Sequence, residues 1–238
     1  MFGYRARVGY TAPVTAVETF PFEFYRMAPE GVTLMVATIA RSRDRADDVE
    51  RTFGAAEQAV REMAESGVSV IVLGGASPGY AFGVDRLSET ARSVERDCGI
   101  PVTTALEAQV EALRALGARK LAVVTPFAAT ASRDFDRLAH FGFEVVGVGG
   151  GGYTHADFGR VPVDAPAQVA RALIGEHPEA DSIFFPAAHW PAASNAEALE
   201  KELGRAVVSS AQAIVWRALR LSHVDDSIAG YGRLLREH

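Results

Sequence analysis

GIPVTTALEAQVEAL, residues 99–113, returns in altered form as GRAVVSSAQAIVWRAL, residues 204–219. Each copy is a glycine, a short strand-like run, two hydroxyl residues and a stretch with apolar positions at helical spacing. Two more stretches recur at nearly the same separation. Val68–Ser77 loosely matches Ala180–His189 at a shift of 112, and Tyr10–Pro13 matches Val123–Pro126 at a shift of 113. This pattern predicts two similar half-domains, residues 1–117 and 118–238, joined near Gly117–Lys120. An exchange of a C-terminal helix is compatible with the first boundary. No Pro/Gly/Ser linker separates the halves, so they are expected to pack together around a cleft, the default place for a ligand.

Outward from the repeat, short apolar runs alternate with longer amphipathic ones. Strands are expected at Arg7–Thr11, Thr33–Thr38, Val68–Gly74, Lys120–Thr125, Phe143–Val148, Ser182–Pro186 and Ala206–Ser209. Helices are expected at Ala46–Glu65, Val84–Cys98, Leu106–Leu116, Ser132–His140, Ala167–Gly175, Asn195–Leu203 and Ala211–Leu221. Several strands are apolar almost throughout, as when helices cover both sheet faces. The fold class is therefore α/β: two pseudo-symmetric halves, each a mostly parallel sheet flanked by helices.

Composition narrows the partners. Of 238 residues, 48% are hydrophobic and 23% charged, enough apolar side chain for a sizeable core and too much for disorder. The longest apolar runs fall far short of the roughly 20 residues that cross a bilayer, so no membrane span is expected. The opening MFGYRARVGY lacks the apolar stretch of a secretory signal, which suggests a cytoplasmic protein. A net charge of −6 without a basic stripe argues against nucleic acid and for a small ligand. Lys120 and Lys201 are the only lysines, and neither sits where a Schiff base would be expected. Apolar helix residues such as Trp216 and Leu219 could serve a homo-oligomer or merely the core.

In open α/β sheets, ligands collect beyond the carboxyl ends of the strands. That rule selects Thr11–Thr15, Gly74–Tyr80, Thr125–Thr130 and Pro186–Pro191, with the hydroxyl pairs Thr103/Thr104 and Ser209/Ser210 behind them. The pairs could equally be helix caps, since Ser and Thr are preferred there.

At these ends the chain resembles the aspartate/glutamate racemase superfamily, and most of all its maleate cis-trans isomerase and arylmalonate decarboxylase branch. The carriers are VGYTAP (8–13), FYRMAPEGV (24–32), GIPVTT (99–104), LGARKLAVVTP (116–126) and VVSSAQA (207–213), spread over nearly the whole chain. The resemblance implies twin α/β halves around a carboxylate site and cofactor-free acid/base chemistry at the carbon beside a carboxylate. It also implies two cysteines, one per half, where this chain has Gly75 and Ala187. Decarboxylases of the branch have a Gly at the first position but keep the second thiol. The single cysteine, Cys98, falls at the end of a helix-like segment just before a strand start, away from the cleft, and its expected role is structural. Phe127 stands where many relatives have a tyrosine, and Thr15 is the only side-chain donor left in the loop after the first strand.

With the thiols gone, His189 is the best proton carrier. It follows Ala187 by two residues and occupies the repeat position of Ser77, so the two side chains should approach the cleft from opposite halves. The alternative is a packed histidine beside Trp190. The stretch GASPG (75–79) matches a nucleophile elbow, but Pro78 follows Ser77 and has no N–H for an oxyanion hole. Ser77 is better read as a donor to a substrate carboxylate, with the amides of Ala76 and Ser77 adding to the cradle. Thr11, Thr15, Gly75, Ala76, Tyr80, Thr125, Phe127, Ala187, Ala188 and Ser209 complete the expected substrate contacts. His140, His155, His177, His223 and His238 are expected on the surface. GVGGGG (147–152) matches a dinucleotide fingerprint, but Pro162 and Pro166 replace the helix it needs, so a loop that helps cover the cleft is expected. No metal motif is present, and neither metal nor cofactor is expected.

The expected function is a cofactor-independent lyase, decarboxylase-like, on a small carboxylic acid. Decarboxylation needs one proton donor, whereas racemisation needs two matched bases. An isomerase or a hydratase/dehydratase using His189 with Ser77, Tyr10 or Tyr80, or a carboxylate-binding protein without turnover, are the alternatives.

Overall fold

The computed structural model describes residues 2–12, 18–39, 46–74 and 84–238. Four parallel strands, β1 (Ala6–Ala12), β2 (Val32–Thr38), β3 (Val70–Leu73) and β4 (Val102–Thr104), form one sheet in the order β2-β1-β3-β4. Four more, β5 (Lys120–Thr125), β6 (Glu144–Gly150), β7 (Ser182–Phe185) and β8 (Ala206–Ser209), form a second in the order β6-β5-β7-β8. The two orders are the same once β1 is equated with β5, β2 with β6, and so on. The internal repeat is thus a repeat of topology. β3, β7 and β8 are buried at every residue, which explains why they read as apolar runs rather than alternating ones.

Helices α2 (Ala46–Glu65) and α3 (Val84–Cys98) cover the outer face of the first sheet, and α5 (Ala165–Glu176) and α6 (Ala196–Leu203) cover that of the second. Between the sheets lie α1 (Thr19–Met27), α4 (Ala105–Ala115) and α7 (Ser210–Leu221), with α8 (Arg233–Glu237) against α7 and β8. The middle layer is shared. α4 packs against α7, α7 also touches β3 of the first sheet, and α4 touches β8 of the second. One apolar cluster accordingly runs from Val8, Phe20 and Phe24 through Leu113 to Phe184, Ile214 and Leu219.

The repeat's hydroxyl pairs begin these middle helices. Thr104 Oγ1 accepts from the Glu107 amide at 3.0 Å while the Glu107 carboxylate accepts from the Thr104 amide at 3.0 Å. Ser209 and Gln212 repeat the arrangement at 3.2 and 2.8 Å. Such reciprocal caps satisfy amides that the helix itself leaves unpaired.

The structure corrects the expected elements in several places. β4 is an eighth strand, three residues long and too short for periodicity to show. α1 is a helix absent from the expected set. Its buried face, Phe20, Glu23, Phe24 and Met27, has helical spacing, but it is aromatic-rich and begins with a proline-bearing turn. Ser132–His140, expected as an α-helix, lies in a 3-10 run, Ala129–Phe141, with buried Phe135 and Leu138 three residues apart on one edge. β7 stops at Phe185, because Pro186 has no N–H to extend the ladder. The glycines of 147–150 belong to β6 rather than to a phosphate loop. A Cβ on Gly147 would collide with the His177 ring, and one on Gly150 with the backbone of Phe127 and Ala129. Among the described residues, no helix is long and apolar enough to cross a membrane.

Candidate active site

The strand order places the carboxyl ends of β5, β6 and β7 side by side. The Thr125 side chain lies at the end of β5, 4% exposed, and its hydroxyl oxygen accepts from the Phe127 amide at 3.4 Å. Phe127 is half-buried and anchors a set of rings. His155, in the turn after β6, lies 4.9 Å from it centroid to centroid, and Phe158 lies 5.7 Å from it. Phe158 is 5.3 Å from His155 and 6.1 Å from His189, which follows β7. The turn that carries His155 is pinned locally: the amide and hydroxyl of Thr154 donate to Asp157 at 2.7 and 2.8 Å, holding the Asp157 carboxylate below its usual range.

His189 therefore stands beside Phe158, which itself packs on Phe127, and follows buried Ala188 in the chain. Its ring is mostly buried, and Nδ1 has no hydrogen-bond partner among the described residues. Burial pushes its pKa down to about 4; the nearby His155 works in the same direction, and Glu18 opposes both. At neutral pH the ring is uncharged. Glu18 belongs to the other half, just before α1, and its carboxylate also approaches Gly159.

Behind His189, Trp190 is buried at 1% exposure, edge-on to Phe185 at 6.2 Å and to Tyr153 at 6.4 Å. Gln109, from α4, is fully buried. Its Nε2 donates to the Pro186 carbonyl at 3.2 Å and to Ser210 Oγ at 2.7 Å, tying the first half to the end of β7 and the start of α7. Glu23 reaches the same region from α1: its Oε1 accepts from the Ser194 amide at 3.2 Å.

The other expected contacts divide clearly. On the first half, Thr11 is buried at the end of β1, where its Oγ1 accepts from the Gly74 amide at 2.9 Å. Gly74 must be glycine, because a Cβ there would strike the Thr11 carbonyl and the Tyr10 ring. Ala187 and Ala188 follow β7, beside His189. Ser209 is buried and its oxygen is committed to capping α7, as the capping alternative allowed. Thr15, Gly75, Ala76, Ser77 and Tyr80 lie outside the described residues.

Three residues that the sequence reading passed over belong here. His155 was assigned to the surface; it is exposed, but it stacks on Phe127. Glu23 and Gln109 carry no motif, and only the packing of α1 and α4 against the other half brings them in. Cys98 lies elsewhere. It ends α3 just before β4 begins, at the amino ends of the strands, where it lines a cavity of about 340 Å³ with Arg61 and Asp97. Among the described residues, no group of three His, Cys, Asp or Glu side chains is placed to hold a metal ion.

Comparison with known proteins agrees with this architecture. The family model described as arylmalonate decarboxylase matches residues 9–235. An arylmalonate decarboxylase from Bordetella bronchiseptica is 29% identical over 186 residues, covering 74% of this chain and 75% of that protein. A solved double mutant of arylmalonate decarboxylase in its liganded form has a TM-score of 0.87 at 22% identity, covering 98% of this chain and all of that one. A Nocardia farcinica maleate cis-trans isomerase mutant, carrying a covalently bound succinylcysteine intermediate, has a TM-score of 0.83 at 25% identity, covering 98% and 99%.

Proposed function

Because the chain belongs to the arylmalonate decarboxylase family, we propose that it removes one carboxylate from a malonate-like diacid, with His189 delivering the replacing proton. The family and its relatives make the chain an enzyme of the lyase or isomerase type. The observation that carries the finer reading is the His189 ring itself: mostly buried in the segment after β7, beside Phe158, with Nδ1 unpartnered among the described residues.

The chemistry balances with a single proton. The bond between the α carbon and one carboxylate breaks, carbon dioxide leaves, and the electron pair stays on the α carbon, delocalised into the retained carboxylate. That carbon then takes a proton from the His189 ring, whose N–H electrons remain on nitrogen, and solvent restores the ring. Dianion plus one proton gives monoanion plus carbon dioxide. Apolar neighbours such as Phe127, Phe158 and Ala188 favour this loss of charge, because they solvate a dianion poorly.

A ring that is neutral in the empty site is a poor acid source until substrate arrives. A dianion within about 4–6 Å favours the imidazolium, reversing the effect of burial, so the substrate recruits its own donor. The retained carboxylate is assigned to Thr11 and Thr125 at the described strand ends and, on sequence grounds, to Ser77 and the amides of Ala76 and Ser77, with Thr15, Gly75 and Tyr80 nearby. Phe127, Ala187 and Ala188 supply the apolar side. An isomerisation through a cysteine adduct is disfavoured, since Cys98 sits at the amino ends of its sheet's strands, away from their carboxyl ends.

Phenylmalonate in deuterated water tests the reading. The expected result is carbon dioxide release with deuterium at the α carbon, lost in His189→Ala and retained in Cys98→Ala. Turnover by His189→Ala at the parent rate would remove His189 from the mechanism. Phenylmalonate that raises thermal stability yet is recovered unchanged would mark a binding protein instead.

A further inference from the structure

Glu23 shares its face of α1 with Phe20, Phe24 and Met27, and it is as buried as they are, with no exposed surface. Its Oε1 accepts from the Ser194 amide, whereas Oε2 has no partner among the described residues. A carboxylate with a bare oxygen in such surroundings is far costlier than the neutral acid. Glu23 is therefore uncharged at neutral pH. Burial pushes its pKa up to about 8, against the opposing pull of the Ser194 and Ala193 groups and of Arg26.

The partner segment is short and stiff. From Trp190 the chain turns at once: the Ala192 amide donates to the Trp190 carbonyl at 2.7 Å, and Asn195 Nδ2 donates to the Pro191 carbonyl at 2.8 Å. Ser194, the residue that Glu23 holds, is five positions after His189. We propose that Glu23 is a positioning residue: from α1 in the first half it clamps the turn at Ala193–Asn195 in the second, and so fixes where His189 stands in the cleft. An apolar side chain of the same size would fill the space but leave the Ser194 amide without its acceptor, which is why an oxygen-bearing side chain stands on this otherwise apolar face.

Few other charges act on this clamp. Arg26, on α1 itself, lies 5.3 Å over the Phe22 ring. β2, packed against α1, carries no charge. On α7, also packed against α1, Arg217 is paired with Glu111 at 2.9 Å, and Arg220 donates to the carbonyls of Val224 and His238. Among the described residues, the nearby titratable groups are Glu18 and His189, Tyr25 on α1, buried Tyr10 packed on Phe20, and Glu197 on α6, which is paired with Arg236 at 3.0 Å.

The significance for turnover rests on His189 being the proton carrier; the clamp itself does not, and its test needs no substrate. In a Trp216→Phe background, Trp190 is the sole indole and reports on the segment. Its emission is expected to hold steady from pH 6 to 7 and then to shift with a midpoint near pH 8, as the charge on ionised Glu23 draws water to the unpartnered Oε2 and opens the packing around the Ser194 turn. With Glu23→Gln added, neutral at every pH, that transition disappears. Identical titrations with and without Glu23→Gln overturn the proposal. Should Glu23→Gln not fold, the Trp216→Phe protein alone decides: a flat emission trace from pH 6 to 9.5 overturns it equally. Failure of His189 as proton carrier shows instead in His189→Ala turnover and leaves the fluorescence result untouched, so the two failures are distinguishable.

Discussion

Acidification should cost this fold stability through one ring. Unfolded, His189 titrates near 6.5; folded, it titrates near 4. Between those values the unfolded chain holds a proton that the folded chain does not, so stability rises with pH across the window and is lost as pH falls through it. Two such constants give a loss of about 2 kcal/mol between pH 7.5 and pH 5, and about 3 kcal/mol once pH is below 4. Partial exposure of the ring lowers the first figure toward about 1 kcal/mol. Glu23 works in the opposite sense. Its folded pKa is raised, so its neutral form is the better tolerated, and it costs the fold progressively more as pH rises from 4.5 toward 8. A bare stability curve would mix the two. The useful quantity is the difference between wild type and His189→Gln in urea unfolding at pH 7.5 and pH 5. Wild type should lose about 1–2 kcal/mol more than the variant over that interval. Parallel losses, within about 0.3 kcal/mol, would falsify the account of His189 as a ring kept neutral by burial.

Two further outcomes follow from the packing. Gln109→Leu should lower unfolding stability by about 1–3 kcal/mol in urea, because the Pro186 carbonyl and Ser210 hydroxyl lose their shared donor; an unchanged midpoint would show that the bridge is dispensable. Gly150→Val should cost about 2 kcal/mol or more and depress soluble yield, since its side chain would enter the backbone of Phe127 and Ala129; parent-like thermal melting would show that the turn yields.

The parts of the fold that the sequence revealed were those encoded locally and twice. Two Gly-strand-hydroxyl-hydroxyl-helix copies announced β4–α4 and β8–α7, and seven apolar runs marked the longer strands. What escaped was what lacks a repeated local signal: α1 hides a helical face in aromatic side chains, and β4, though its run stands in the repeat, is too short at three residues to be counted among the strands by periodicity. The 3-10 run at Ala129–Phe141 winds about three rather than 3.6 residues per turn, a difference too small for a short amphipathic pattern to show. For the site, strand ends pointed to His189, Thr125 and Phe127 because position along a strand can be counted. Nothing in EFYRM or ALEAQ announces that Glu23 and Gln109 reach across to the other half; that depends on how α1 and α4 pack. His155 was discounted for lying in a polar loop, yet the loop folds back so that its ring meets Phe127.

Twin scaffolds with unlike furnishings have a consequence for handedness. Strand order is duplicated, but the histidine at the end of β7 has a serine as its counterpart in the first repeat. A planar carbanion that meets an acidic ring from the second half alone is, under the proposed chemistry, protonated at its prochiral centre from a single face, and one mirror-image product accumulates.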